Sequence, residues 1–372
     1  MTFFSALLLW KTERRKMYYW AGTFACVLGL LIFIYIILSM VLQNQRVVPN
    51  FVASYCAIFA TLLSLFQILE HLTCFSDPEC QTKIVRILFM VPLFAVISLI
   101  SLLAPGAAEY LNLIRDAYES YVIYAFFQLM MALMGGIDTV YRTLMIEDLP
   151  PVRQVFPFCH LEPIKVTPTF VQNCRLCLFQ FMVLKPLVTI IVVILTAKGA
   201  MGSSMLDVTK GTFWTYLVYN ISITVAFTAL LYFYVGLKDL IEGRNVFLKF
   251  LCVKAVIFLS FWQGLLIQVI SAAGYLPEFS YWEPAETPAA LQDLLICVEM
   301  MLVAFAHKYC FGSDDYMISS GAGDYVIEDI SGQDGLSART IPPIRFVVAE
   351  NLKYTLKHED ILTDMRDIVH NR

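Results

Sequence analysis

Apolar residues run along this chain in eight blocks of roughly twenty, with polar residues gathered in the short stretches between them. A bilayer core of about 30 Å takes about 20 helical residues to cross. The blocks therefore predict eight membrane-spanning helices: Trp20 to Leu42, Phe51 to Leu69, Ile87 to Ala104, Ser120 to Ile137, Leu178 to Ala197, Phe213 to Leu237, Phe250 to Ala273 and Leu291 to Phe311. The expected fold class is all-α, a polytopic membrane helix bundle. It comprises a basic cytoplasmic N-terminus (1–19), a signal-anchor helix (20–42), a seven-span core (51–311), a flexible linker (312–344) and a cytoplasmic amphipathic tail helix (345–372).

Three blocks break the apolar pattern. One holds Lys185, one Lys254, and the last holds Asp293, Glu299, His307 and Lys308. An ionisable group at membrane depth costs at least a few kcal/mol unless it meets a partner, a cavity or water, so these three spans need protein neighbours. Glu299 has two readings: a functional carboxylate, or a protonated or hydrogen-bonded structural one.

Sidedness follows from Lys and Arg, which accumulate in cytoplasmic loops. With eight spans, Lys11 to Lys16, Lys83, Arg86, Arg142, Arg153, Lys165, Arg175, Lys238, Arg244 and Lys249 share one side, against Arg46, Arg115, Lys198 and Lys210 on the other. Both termini are expected in the cytoplasm, in an endomembrane or the plasma membrane. The first block could instead be a cleaved signal peptide, but it is long for that and ends in Leu38-Ser-Met-Val-Leu-Gln43 without a small-x-small site.

Composition agrees with the membrane reading: 59% of residues are apolar and 15% charged, outside the range of soluble domains. A net charge of −4 without a basic, aromatic-interleaved patch gives no footprint for nucleic acid. None of the ten cysteines falls in an expected external loop, so disulfides are not expected. The sequon Asn220-Ile-Ser222 lies within a span and should carry no glycan. Beyond Phe311 a Gly-, Ser- and Asp-rich stretch precedes Ile361, Leu362, Met365, Ile368 and Val369 at helical spacing.

Motifs for catalysis are missing: no phosphate-binding glycine loop, no His-Glu-x-x-His, no Gly-x-Ser-x-Gly. No catalytic residue, metal site or cofactor is expected, and the chain reads as a non-enzyme. Cys174-Arg-Leu-Cys177 has half the spacing of a zinc site but no second pair; Cys159, Cys174 and Cys177 are better candidates for palmitoylation or plain buried thiols. Counting 1.5 Å per residue puts Gln128, Asn220, Gln263 and Glu299 near mid-membrane, with Trp262 beside them. These five are the expected lining of a cavity for an amphipathic solute, the rival being interhelical hydrogen bonds that only hold the bundle. Lys185-Pro186 and Pro92 mark expected kinks. The cluster Arg115, Asp116 and Glu119 is expected to cap the start of the fourth span.

Several segments together resemble a known family. Gln67-Ile-Leu-Glu-His-Leu72 with Lys83-Ile-Val-Arg-Ile-Leu-Phe-Met-Val-Pro92, Arg115-Asp-Ala-Tyr-Glu-Ser-Tyr-Val-Ile-Tyr124, Lys249 through Gly264, and Leu291 through His307 resemble the transmembrane protein 184 family, relatives of the organic solute transporter alpha subunit. The resemblance implies transport of organic anions or steroid-like solutes; with no nucleotide site and few membrane-embedded acids to couple protons, the solute's own gradient is the expected drive. It also implies a small single-span beta-type partner subunit beside the lipid bilayer, with a homo-oligomer as a further form. Arg115, Glu119 and Lys254, with Gln263 and Glu299, are the polar positions it matches. The dense cysteine run that family members often carry in the long cytoplasmic loop is replaced by Phe156-Pro-Phe-Cys-His160. The alternative function is a non-transporting receptor or vesicle-trafficking scaffold, working through the 138–177 loop and the tail.

Overall fold

A computed structural model describes residues 47–154, 162–200, 208–241, 246–276, 286–313 and 344–357, with single positions at 282, 316, 363 and 366. The expected signal-anchor helix, Cys159, most of the linker and the apolar positions from Ile361 to Val369 lie outside them. The described residues form ten α-helices: α1 (Val47–Thr73), α2 (Pro78–Leu88), α3 (Met90–Leu103), α4 (Ala108–Leu133), α5 (Ile137–Ile146), α6 (Pro168–Ala197), α7 (Gly211–Leu237), α8 (Val246–Ala272), α9 (Thr287–Cys310) and α10 (Ile344–Leu356).

Five segments are long and apolar enough to cross a membrane: Val48–Thr73, Pro78–Leu103, Pro168–Ala197, Gly211–Leu240 and Thr287–Cys310. The pair Tyr110–Leu133 and Ile137–Ile146, bent by 60°, makes a sixth if counted as one span. With α8, 27 residues long, beside them, the protein is an integral, multi-pass helical membrane protein. Leu187, Ile190, Ile191 and Ile194 on α6 and Leu259, Leu266 and Val269 on α8 point outward, as helices in lipid require.

Helix α9 is the hub, packed on α1, α3 and α8, while α4 is held by α2, α3 and α6, and α6 pairs with α7. Local chemistry sets several boundaries. Asp77 caps α2 by accepting the Cys80 N–H at 3.1 Å, with Pro78 in the first turn where no N–H is needed. Pro92 cannot donate to the carbonyl four residues back, and the break between α2 and α3 falls at Phe89. The sharp turn from α4 into α5 runs through Gly135 and Gly136 at φ +88° and +87°, a region that side chains avoid.

The structure corrects the sequence boundaries in three places. The helical segment leading into the third span starts at Pro78 rather than Ile87, and it draws Lys83 and Arg86 into buried helix instead of a loop. The fourth span starts at Ala108, twelve residues before Ser120, because the charged residues in between find ion-pair partners inside the bundle. The loop from 138 to 177 contains helix α5 and an antiparallel bridge, Val152 to Ile164, before α6 begins at Pro168. Val152 and Val166 rest on Gly236 of α7, where an added Cβ would meet them at 3.1 and 3.2 Å.

Candidate functional site: a charged cavity shared by six helices

Where α4, α7 and α9 begin and α6 and α8 end, the bundle leaves a cavity of about 180 Å³. Its charged wall comes from α4 and α6. Arg115 and Glu119 lie four residues apart on one face of α4, with Asp116 between them, and Lys185 of α6 faces the two acids. The ammonium of Lys185 stands 3.4 Å from Asp116 Oδ1 and 3.8 Å from Glu119 Oε2, and 3.8 Å from the centre of the Tyr219 ring. Arg115 Nη1 lies 3.3 Å from Asp293 Oδ1 of α9 and donates to Ser98 Oγ of α3 at 3.3 Å. The remaining wall is softer: Tyr216 and Tyr219, Gln268, Gln292 and Phe94.

The sequence folds this way locally for a physical reason. Pro186 has no N–H for the carbonyl of Met182, one turn back, and Ser120 of α4 reaches that carbonyl at 3.4 Å while also touching its own Ala117 O at 2.9 Å. Thr189 lies 3.0 Å from Lys185 O and 3.2 Å from Asp116 Oδ2, so its hydroxyl hydrogen is shared between helix and cluster. The kink is thereby tied to α4 on both sides of Lys185. Gly264 of α8 lets Gln292 lie against its backbone; a Cβ there would stand 2.7 Å from Gln292 Nε2.

Two bases and three carboxylates make up the cluster, and both bases are already paired. Arg115 is spent on Asp293, and Lys185 is shared by Asp116 and Glu119. One carboxylate in excess therefore faces the cavity with two tyrosine rings and two amides.

The opposite end of the bundle carries a second polar layer. Gln67 donates to the carbonyls of His307 and Phe311, both at 2.8 Å, and His71 Nε2 lies 2.9 Å from Phe311 O. They satisfy Phe311 O just past the end of α9 and add a second donor to His307 O, which also accepts the Phe311 N–H at 2.8 Å. Lys308 pairs with Glu70 at 2.7 Å. Gln67-Ile-Leu-Glu-His71 is thus a clamp on the last long helix, and Asp293, Lys185 and Lys308 all have the protein neighbours that their place in apolar stretches demands.

The five residues expected from depth counting do not line this cavity. Gln128 is buried about 30 Å along α4 from its start, far past the cavity level, because α4 begins so much earlier than its apolar block. Asn220 turns its amide to Tyr216 O of its own helix at 2.8 Å. Trp262 is 50% exposed on α8. Gln263 is half-buried, its Nε2 without a hydrogen-bond partner among the described residues, and so is Glu299 with its Oε2. Of the family-matched positions, Arg115 and Glu119 are in the wall, whereas Lys254 lies over the Phe250 ring at 5.7 Å. Arg115, Asp116 and Glu119 do not cap a helix start; they sit two to three turns inside α4 and make the ion pairs just described. Cys174 is buried and Cys177 half-buried within α6.

Residues 49–316, more than two thirds of the chain, match the family model for the organic solute transporter Ostalpha. The chain belongs to the Ostalpha family. The match spans every helix from α1 to α9, so the cavity and the α9 clamp both lie within the Ostalpha region. Family membership makes this a membrane protein of a solute-transporter class. No solved structure matches the chain. Lys185 and Asp293 were marked in the sequence as charges needing partners but not placed at a site, and Tyr216, Tyr219, Gln268 and Gln292 of the lining were not singled out at all. The uncharged four carry no signal that local pattern could read.

Proposed function

We propose that this protein is a gradient-driven carrier of amphipathic organic solutes, within the transmembrane protein 184 branch of its family. The observation that carries the reading is a cavity walled by three ion pairs and built by six helices in the membrane domain. A mixed wall of charges, amides and aromatic rings suits a solute with a polar end and an apolar body. At about 180 Å³ the cavity is smaller than the 300 to 1,000 Å³ typical of drug-sized sites. It therefore takes the polar end of such a solute rather than the whole. Organic anions and steroid-like compounds are the classes the family resemblance implies, working with a small single-span partner subunit and with both termini in the cytoplasm. Asn220, Trp262, Gln263 and Glu299, each within one helical turn of a cavity-lining residue along its own helix, belong to the same proposal as further solute contacts.

The test is counterflow of a labelled steroid conjugate into liposomes holding the purified protein, alone and with a candidate single-span subunit. Saturable flux that falls at least tenfold in Arg115→Gln, with Glu299→Gln as the deeper comparison, is expected. Folded protein without flux in either setting would overturn the carrier reading.

A further inference from the structure

From the way Arg115 is held we infer that its guanidinium is the seat of the solute's anionic head group, and that Asp293 is a resident counter-ion which the head group displaces. The inference rests on the carrier reading for the solute and deepens it by naming the group that receives the charge. Arg115 lines the cavity. Both of its hydrogen bonds leave from one nitrogen: Nη1 donates to Asp293 Oδ1 and to Ser98 Oγ, each at 3.3 Å. Its Nε and Nη2 have no partner among the described residues. The edge of the fork that grips two oxygens side by side is therefore open.

The pair is built to be exchanged. A charge-assisted N–H to oxygen contact in good geometry is about 2.7 to 2.9 Å long, and arginine commonly makes two of them to one acid group. The Asp293 contact is single and 3.3 Å long. A sulfate, sulfonate or carboxylate lying along Nε and Nη2 makes two such bonds and outcompetes it. Asp293 serves the empty cavity, where a guanidinium without a counter-ion is costly. The other acids do not take this place: Asp116 and Glu119 are drawn to Lys185 at 3.4 and 3.8 Å, and Thr189 stands 3.2 Å from Asp116 Oδ2. The head group replaces a carboxylate on Arg115 rather than joining it, so the charge on that guanidinium stays balanced. Asp293 belongs to α9, and its release unties α9 from α4 at the cavity while Gln67 and Glu70 hold the other end of α9. The solute thus binds the untied state better, which is the condition for a ligand to shift a conformational equilibrium.

The experiment is a binding series on the purified full-length protein in nanodiscs, using one steroid nucleus that carries a sulfate or a hydroxyl at the same carbon. Wild type is expected to prefer the sulfate. Asp293→Asn removes the competitor, so it should tighten sulfate binding about tenfold, or about 1.4 kcal/mol, and move the hydroxyl compound by less than about twofold. A merely structural aspartate gives no such gain. Arg115→Gln should abolish the sulfate preference, and adding Asp293→Asn to it should restore nothing, because the two residues act through one contact. Asp293→Ser is the second variant should the first fail to fold. Sulfate affinity that falls or stays level without Asp293 overturns the inference. A gain shared by the hydroxyl compound, a gain that survives in the double variant, or folded wild type without sulfate preference overturns it too. The flux test separates the two claims. A sulfate-specific gain without flux leaves the exchange standing and sinks the carrier, whereas flux without the gain does the opposite.

Discussion

Lys185 holds two carboxylates and an aromatic ring at once, so its removal should be felt more than that of any surface lysine. Breaking a buried ion pair from one side leaves the other charge uncompensated and typically costs about 3 to 5 kcal/mol. Lys185→Met is expected to lower thermal stability in detergent by several degrees. The double variant with Glu119→Gln should recover part of the loss, because it removes one stranded acid. Equal stability of wild type and single variant would mean the cluster is not charged as drawn. Gly264 gives the opposite kind of change. The atom an added methyl meets is the end of the flexible Gln292 side chain at 2.7 Å, which can swing aside cheaply. Gly264→Ala should therefore fold with unchanged stability yet shift solute affinity several-fold, checked by melting and binding on one preparation. Both residues were only half legible in the sequence. A lysine inside an apolar run announces that it needs partners, but Asp116 and Glu119 lie more than sixty positions away. Which acids it finds depends on helix rotation, which no local pattern carries.

Among the elements, α4 shows most clearly where pattern reading stops. Its apolar block from Ser120 onward is plain, but the helix continues back to Ala108 through charged residues that a hydropathy window treats as loop. The twelve added residues shift every depth counted along it, and this is why Gln128 drops out of the cavity level. The kink in α6 was visible as Pro186, while its cover by Ser120 was not. Ser120→Ala should cost about 0.6 kcal/mol, the average for a hydrogen bond between membrane helices; unfolding in mixed micelles can read it. The turn from α4 to α5 is a stronger test. Gly136 at φ +87° and ψ 169° holds an extended positive-φ conformation essentially restricted to glycine, which costs an ordinary residue about 1 to 3 kcal/mol. Gly136→Ala should thus destabilise more than Ser120→Ala, although it removes no contact. The reverse order would mean that the bend is not fixed by that glycine.

Across the whole molecule, the helical class and the multi-pass membrane character were readable because the length of an apolar run is a local property set by bilayer thickness; of the eight spans expected, five described segments, or six with the bent pair, are long and apolar enough to cross. The pairing of distant helices was not readable, and neither was the seat of the tail. Helix α10 lies before the apolar positions that suggested a tail helix, and it docks on α1 and α2 of its own chain. Asn351 donates to Leu72 O at 2.8 Å, and Tyr354 meets Phe75 edge-on with ring centres 6.1 Å apart. At its end the carbonyls of Thr355 and Lys357 accept from Arg86, at 3.2 and 2.7 Å. A helix C-terminus leaves such carbonyls open and carries partial negative charge, so a guanidinium there both completes the hydrogen bonds and suits the dipole. Arg86 is thus a staple between the membrane domain and the tail, built from a residue that loop counting had assigned to the cytoplasmic surface. Arg86→Met keeps the buried aliphatic stem and removes the donors. In hydrogen–deuterium exchange it should speed exchange across residues 344–357 at least tenfold while α1 and α9 stay protected. The clamp of Gln67 and His71 on α9 uses none of the Arg86 atoms, so the membrane domain has no reason to loosen. Exchange unchanged over the tail would show that Asn351 and the aromatic pair hold it unaided, and a loosened α9 would show that tail and bundle melt as one unit.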